Sequence, residues 1–227
     1  LYDYPELAPR LAGLRTGAAL GDIRTAKPLQ AIARGEGAPS PSMRAEALKY
    51  LGRLGADPSI TLFLREMVDQ PELEVKIAAY EALVERMDVQ RVEYPGKFFV
   101  DRVPAKDPLI YVKQQGLPTI VLFGDPFDLR PAVVSAWSDR FMLTSDENRP
   151  GYARVFYRDY RTGSVVQNTI NADVLSLISW LARPGNPDEP SSGVNLTYSQ
   201  VVGAIYETQK QGALAGSFAT ARDLLMA

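Results

Sequence analysis

The stretch that decides the fold of the N-terminal part runs Pro71-Glu72-Leu73-Glu74-Val75-Lys76-Ile77-Ala78-Ala79-Tyr80-Glu81-Ala82-Leu83. After Val75, further apolar side chains follow three, four, seven and eight positions later. Because an α-helix turns once in about 3.6 residues, this spacing predicts a helix with one buried face. The alanines on that face predict a close approach by a neighbouring helix.

The same kind of helix recurs earlier in the chain. When the sequence is aligned with itself at an offset of 32 residues, Met43-Arg44-Ala45-Glu46-Ala47 matches Val75-Lys76-Ile77-Ala78-Ala79. At an offset of 31 residues, Leu20-Gly21-Asp22-Ile23 matches Leu51-Gly52-Arg53-Leu54. A single helix pair leaves its apolar face exposed, whereas stacked pairs cover one another. We therefore expect residues 5–90 to form at least four helices in antiparallel pairs, with these side chains buried: Leu51, Leu54, Ala79 and Leu83.

This segment resembles HEAT-type repeats. Residues 71–83 follow that family's pattern of an acidic, proline-bearing turn and then Val-Arg-x-x-Ala-x-x-Ala-Leu, with Lys76 in place of the usual arginine. The resemblance covers roughly residues 5–90 and implies an α-solenoid of two to three helix pairs, whose concave or edge surface binds a partner. The simpler alternative, a small helical bundle with chance self-similarity, stays open.

Residues 97–170 carry the patterns of short strands. The run Thr119-Ile120-Val121-Leu122-Phe123 is continuously apolar and is followed by Gly124, which predicts a strand buried on both faces. No long helical pattern interrupts this region, so a mainly antiparallel sheet is expected. The remaining strands are expected at 97–103, 109–112, 140–144, 152–158 and 164–167.

Helices are expected to finish the chain. Asn171 is expected to cap a first helix, which ends at Ala182, and Thr197 is expected to cap a second helix. Residues 219–226 are expected to form a last helix. The predicted fold class is thus α+β, with HEAT-like helical repeats at 1–92, a small β-rich domain at 93–170, and C-terminal helices packed on the β domain at 171–227. The turn around Pro95-Gly96 is short, so we expect the solenoid to pack on the β-rich domain.

A second resemblance concerns the order of motifs after the helices. Phe98-Phe99-Val100, Ile110-Tyr111-Val112 and Pro118-Thr119-Ile120-Val121-Leu122-Phe123-Gly124 precede the helical stretch at 198–205. This order resembles the C-terminal part of planctomycete-type flagellar P-ring-like proteins, over residues 40–205. The resemblance implies a structural protein of the flagellar basal body, exported to the periplasm, of which this chain is a fragment. Composition alone leaves the cytoplasm open.

Composition excludes several classes of function. The chain has 25 Lys and Arg against 27 Asp and Glu, a net charge of −2, which argues against a nucleic-acid partner. No apolar run approaches the about 20 residues that a membrane span needs. Histidine and cysteine are both absent, which removes the usual catalytic triads, thiol nucleophiles and zinc sites. We expect no cofactor and no metal, and no catalytic residue is assigned.

Two carboxylates give the one enzymatic alternative. Asp125 and Asp128 directly follow the predicted buried strand, and strand ends are common positions for active-site acids. A carboxylate-dependent hydrolase with both residues in a cleft is therefore the alternative function. The non-catalytic interpretation is that these residues form a polar turn, in which Asp125 accepts hydrogen bonds from nearby backbone N–H groups.

The predicted hairpin around residues 152–167 carries the candidate interaction surface. Strand alternation puts Arg154, Phe156, Arg158 and Tyr160 on one side, and Ala153, Val155 and Tyr157 on the other. With Arg161 in the turn, the surface assigned to a partner comprises Arg154, Arg158, Tyr160 and Arg161. A solvated outer face explains the same pattern. The function predicted from the sequence is a non-enzymatic structural or protein-interaction module, with self-assembly among its possible partnerships.

Overall fold

The structure is a computed structural model that describes residue 2 and residues 4–124, 127–130, 133–186 and 188–225. Its α-helices and two β-sheets confirm the predicted α+β class. The chain divides into two compact units. One contains Leu1–Gln90, Val103–Ala105 and Arg222–Ala227, and the other contains Arg91–Arg102 and Lys106–Ala221.

Five α-helices form the first unit, and their positions follow the sequence offsets. They are α1 (Leu7–Ala19), α2 (Ala26–Arg34), α3 (Pro41–Arg53), α4 (Pro58–Met67) and α5 (Leu73–Glu85). Helices α3 and α5 are both 13 residues long and begin 32 residues apart. Helix α3 contacts α1, α2 and α5, while α4 contacts α2, α3 and α5.

The predicted core of these helices is confirmed. Leu51, Leu54, Ala79 and Leu83 are each at most 2 % exposed. All residues from 43 to 87 are described, and none of them lies in a strand. The close approach predicted from the alanines occurs between α3 and α5, where a Cβ atom on Gly52 would lie 2.9 Å from the Cα of Ala82.

Buried Arg44 joins three segments of the first unit. Its Nε donates to the backbone oxygen of Ala33 at 2.9 Å, and its two terminal nitrogens donate to Glu72 Oε1 and Gln70 Oε1, each at 2.7 Å. The side chain thereby links α3 to the end of α2 and to the turn between α4 and α5. A buried charge is tolerated because its donors are hydrogen-bonded.

The five-stranded sheet has the order β1-β2-β4-β3-β9. Its strands are β1 (Gln90–Tyr94), β2 (Phe98–Val103), β3 (Leu109–Lys113), β4 (Thr119–Phe123) and β9 (Ser217–Thr220). Strand β3 pairs antiparallel with β4 and parallel with β9. Every residue of β4 is buried, which confirms the strand predicted to be buried on both faces.

A second, four-stranded antiparallel sheet has the order β5-β6-β7-β8. Its strands are β5 (Val133–Ala136), β6 (Phe141–Ser145), β7 (Tyr152–Arg158) and β8 (Val165–Asn171). One side of this sheet joins a core shared with α6 (Val174–Ala182), α7 (Tyr198–Lys210) and one side of the five-stranded sheet. Side chains that contribute to this core include Phe141, Leu143, Val155, Leu177, Ile178, Val201 and Ile205.

The C-terminal part differs from the sequence prediction in two places. Helix α6 is capped by Asp173 instead of Asn171, because the Asp173 carboxylate accepts the backbone N–H and the hydroxyl of Ser176. Most of the stretch predicted as a last helix is also non-helical, since residues 217–220 form β9 and only a short 3₁₀ turn follows at Asp223–Leu225. Met226 lies outside the described residues. The N-cap predicted at Thr197 is confirmed.

Local propensity explains why a helix was predicted at residues 219–226. Residues 219–226 contain good helix formers, but Phe218 and Ala219 pair with Ile110 and Tyr111 on the edge of β3. Pairing along that edge satisfies backbone groups that an isolated short helix would leave to water. Among the described helices, none is long and apolar enough to cross a membrane.

We expect Leu83→Ala to lower the free energy of unfolding by about 2–5 kcal/mol, because it leaves a cavity in a packed helix core. Leu83 is 1 % exposed, whereas Leu62 on α4 is 58 % exposed. Leu62→Ala is therefore the matched control, with an expected change within about 0.5 kcal/mol. Urea denaturation followed by circular dichroism measures both. Equal effects of the two substitutions would contradict the assigned core.

We expect stability to fall as the pH rises from about 10 to about 12, partly through Tyr198. Burial raises the pKa of its phenol to about 12, and its hydroxyl donates to the backbone oxygen of Lys113 at 2.8 Å. Between these values the unfolded chain loses the phenolic proton and the folded chain keeps it, so unfolding is favoured as pH rises. Tyr198→Phe should flatten this dependence in urea denaturation at stepped pH; an unchanged slope would refute the assignment.

Candidate functional site

Arg154 and Arg158, two of the predicted interaction residues, lie on the side of the four-stranded sheet that faces away from the core, and Tyr160 and Arg161 lie in the turn after β7. Along β7, Ala153, Val155 and Tyr157 are buried, while Arg154 and Arg158 are exposed. This confirms the alternation predicted for residues 153–158, whereas Tyr160, predicted on the same side as the two arginines, lies beyond the end of the strand. Phe156, between the two arginines, is half-buried and outward-facing.

Strand pairing places these side chains beside residues of the other three strands. One cross-strand row runs Val133, Thr144, Arg154 and Thr169, and the next contains Met142, Phe156 and Gln167. Residues of both rows line an open groove of about 510 Å³. We call this surface the β5–β8 face and define it by Val133, Met142, Thr144, Arg154, Phe156, Arg158, Val165, Gln167 and Thr169.

Apolar side chains cross the β5–β8 face as a diagonal band. Val133 on β5, Met142 on β6, Phe156 on β7 and Val165 on β8 each come from a different strand. Val133 is 63 % exposed, Val165 48 % and Met142 36 %. The outward face of an antiparallel sheet that packs on a core with its other face is normally polar, so these four side chains depart from the usual pattern. We call these four side chains the apolar band.

Basic and aromatic side chains lie at one corner of the face, beside the turn between β7 and β8. The guanidinium of Arg158 lies 5.8 Å from the centre of the Phe156 ring, and that of Arg140 lies 6.0 Å from the Tyr160 ring. Tyr160 is in the turn, where strand alternation does not apply, so its contact with Arg140 is what places it at this corner. We call Arg140, Arg158, Tyr160 and Arg161 the arginine corner.

Asp159 fixes the turn at the arginine corner. Its carboxylate accepts the backbone N–H groups of Arg161 at 2.8 Å and Thr162 at 2.7 Å. These two hydrogen bonds hold the pKa of the Asp159 carboxyl below its ordinary value, and the one from Thr162 has the larger effect. The turn is thereby set by local bonds, and the side chains of Tyr160 and Arg161 project from it, both exposed.

Carboxylates lie at the opposite end of these strands, beside the start of β7 and the end of β8. A groove of about 670 Å³ is lined there by Asp128, Asp146 and Asp173, together with Arg130 and Tyr152. Asp128 pairs through its backbone with Asp173, while Asp125 lies outside the described residues. We call Asp128, Asp146 and Asp173 the acidic corner.

Two of these three carboxylates already have structural partners. Asp173 caps α6, and Asp146 accepts the backbone N–H of Asn148 at 3.1 Å and lies 3.8 Å from Nε of Arg154. The side chain of Asp128 is exposed. Within the part of the chain that the structure describes, no three acidic side chains are placed to hold a metal ion together.

Sequence analysis identified four residues of this surface and missed several others. Arg154, Arg158, Tyr160 and Arg161 were found from one hairpin, but Arg140, Met142, Val133 and Val165 were not. Alternation in Arg140-Phe141-Met142-Leu143-Thr144 could have placed Arg140 and Met142 opposite Phe141, on the outward side. Which strand lies beside β7 could not be deduced this way.

The chain was compared with protein-family models, with curated proteins and with solved structures, and none of the three comparisons finds a match.

Proposed function

We propose that this chain is a non-enzymatic structural module that binds protein through the β5–β8 face. The observation that carries the proposal is the apolar band, which is exposed on the outward side of an antiparallel sheet and flanked by arginines. Aromatic residues, methionine and arginine are enriched in protein interfaces. Arginine and tyrosine are also over-represented among the side chains that contribute most to binding.

The packed core beneath the β5–β8 face favours binding without rearrangement of the sheet. The inward side chains of the same strands, including Val155 and Leu143, belong to a packed core. A surface held by such a core loses little conformational freedom when a partner docks. This property suits a scaffold that presents a fixed surface.

The helical unit supports the structural part of the proposal. We propose that α1–α5 form a HEAT-like solenoid of two and a half helix pairs. The equal lengths of α3 and α5, the 32-residue spacing between them and the contacts of α1 with α3 and of α2 with α4 support it. With the motif order noted above, we propose an exported P-ring-like envelope protein of the flagellar basal body, of which this chain is a part.

The absence of histidine and cysteine from the sequence supports a non-enzymatic function. A second candidate, a carboxylate-dependent hydrolase, is favoured by one observation, the groove that holds the acidic corner. Two of its three described carboxylates hold a helix cap and a turn, so among the described residues Asp128 is the one that such chemistry would use.

Photo-crosslinking tests the proposed docking surface. A photoreactive phenylalanine analogue is placed at Met142 in the band, or at Leu62 on α4 as a control that is more exposed than Met142. The chain is expressed in its native cells. We expect position 142 to give adducts with the mass of a defined protein, and Arg158→Glu to lower their yield. We expect no adducts from position 62. Mass spectrometry then identifies the partner. No adduct at position 142, or equal adducts at both positions, would refute the β5–β8 face as a docking surface.

We expect no hydrolysis of a panel of esters, glycosides and peptides by the purified chain. The reason is that two of the three described carboxylates of the acidic corner hold a helix cap and a turn, and that the sequence has no histidine or cysteine to act as base or thiol nucleophile. Asp128→Asn is the diagnostic variant and Glu66→Gln, on the exposed side of α4, is its control. Hydrolysis that Asp128→Asn abolishes and Glu66→Gln preserves would establish the enzyme instead.

A further inference from the structure

We infer that the partner of the β5–β8 face is an acidic protein segment, which sets carboxylates on the arginine corner and apolar side chains on the apolar band. The inference rests on the proposed function, since it names the kind of partner that the same surface binds. It is carried by the arginine side chains that no carboxylate of the described part of the chain pairs with.

Two arginines of the corner stand opposite each other on neighbouring strands. Arg140 directly precedes β6, and Arg158 ends β7 at the position opposite it, where its backbone N–H donates to the oxygen of Arg140 at 2.7 Å. Like charges at directly opposed positions of an antiparallel pair repel each other. An anion beside the two guanidinium groups relieves this repulsion.

The guanidinium groups of the corner have donors to spare. Nε of Arg140 donates to the backbone oxygen of Trp137 at 2.8 Å, which leaves its terminal nitrogens for other acceptors. Within the described part of the chain, the side chains of Arg158 and Arg161 make no hydrogen bond, and no ion pair joins any of the three arginines to a carboxylate. These donors are therefore available to the carboxylates of a partner.

Two carboxylates in the neighbouring turns already have hydrogen-bond donors of their own. Asp139 accepts the hydroxyl of Ser135, and Asp159 accepts the backbone N–H groups of Arg161 and Thr162. Three arginines against these two acids leave the corner with a net charge of +1. The corner thus keeps a positive charge even when its nearest acids are counted.

The remaining exposed arginine of β7 has its charge offset. Nε of Arg154 lies 3.8 Å from the carboxylate of Asp146. The uncompensated positive charge therefore lies at the other end of the strand, where Val165 of the apolar band pairs with Arg158. Because Val165 and Arg158 are cross-strand neighbours, one bound segment reaches the apolar band and the arginine corner together.

The spacing along β7 indicates the sequence of such a segment. Phe156 and Arg158 are two residues apart and point outward, which sets them about 7 Å apart along the strand. An extended chain presents every second side chain on one side at the same interval. A segment that lies along β7 with an apolar and an acidic residue two positions apart therefore contacts Phe156 and Arg158 together. Arginine suits this role because its planar group can bind both oxygens of a carboxylate.

The charge of the whole chain favours a protein segment over a nucleic acid. Its net charge of −2 opposes the long-range attraction on which binding to a polyanion depends. The apolar band also offers no hydrogen-bond donor to a phosphate backbone, whereas it matches the apolar side chains of a protein. A short acidic segment with apolar residues fits both parts of the face.

Fluorescence anisotropy with a labelled peptide tests the inference. The probe is a short serine peptide in which every second residue is alternately glutamate or leucine, and the control has glutamine in place of glutamate. We expect the purified chain to bind the glutamate peptide roughly tenfold more tightly than the glutamine peptide, and added salt to reduce this preference.

Variants of the chain locate the preference. Arg158→Glu should abolish it, and Arg161→Glu, at an exposed position in the turn, should weaken it in the same direction. Lys49→Glu on α3 makes an equal change in net charge and should leave the preference unchanged. Equal affinity for the two peptides, or equal effects of Arg158→Glu and Lys49→Glu, would overturn the inference. So would no binding of the glutamate peptide at millimolar concentration, or tighter binding of a single-stranded thymidine oligonucleotide.

The two proposals fail in different ways. Mass spectrometry of the photo-crosslinked adducts from position 142 locates the segment that they label. A labelled segment without acidic residues, in another protein or in a second copy of this chain, refutes the acidic partner and leaves the docking surface standing. No adduct from position 142 refutes both.

Discussion

The two-residue period of β7 is the constraint on which the candidate surface depends. Ala153, Val155 and Tyr157 must be buried to complete the core beneath the four-stranded sheet, so the residues between them must point outward. Phe156 is thus held at the surface by the burial of its two neighbours. A shift of register by one residue would bury Arg154 and Arg158, whose charges would then lack partners in an apolar core.

The chain uses its charged residues in two distinct ways. Arg44 is buried with three acceptors, and Arg91 donates twice to the fully buried carboxylate of Asp101, at 2.7 Å each. Lys97 donates to three oxygens around the end of α6 and the segment before α7, including that of Leu196. These groups hold the architecture together. Arg158, by contrast, lies on the β5–β8 face, where its guanidinium is exposed and available to a partner.

Much of the fold followed from local sequence patterns, and the rest depended on contacts between distant residues. Apolar periodicity located the burial of Leu51 and Leu83, and alternation gave the correct side for Arg154 and Arg158. Strand β9 could not be predicted, because its conformation is set by pairing with β3, more than a hundred residues earlier. The apolar band escaped prediction for the same reason, since only strand order sets Met142 beside Phe156.

Two methionines allow the docking surface to be probed in the cell. Met142 lies in the apolar band and is 36 % exposed, whereas Met87 follows α5 and is 91 % exposed. Methionine oxidation follows solvent access, so the ratio of the two oxidation rates reports coverage of the β5–β8 face. The measurement is that ratio, by mass spectrometry, in native cells and in the dilute purified chain. A docking surface predicts that Met142 is protected in cells relative to Met87; the same ratio in both conditions would contradict it.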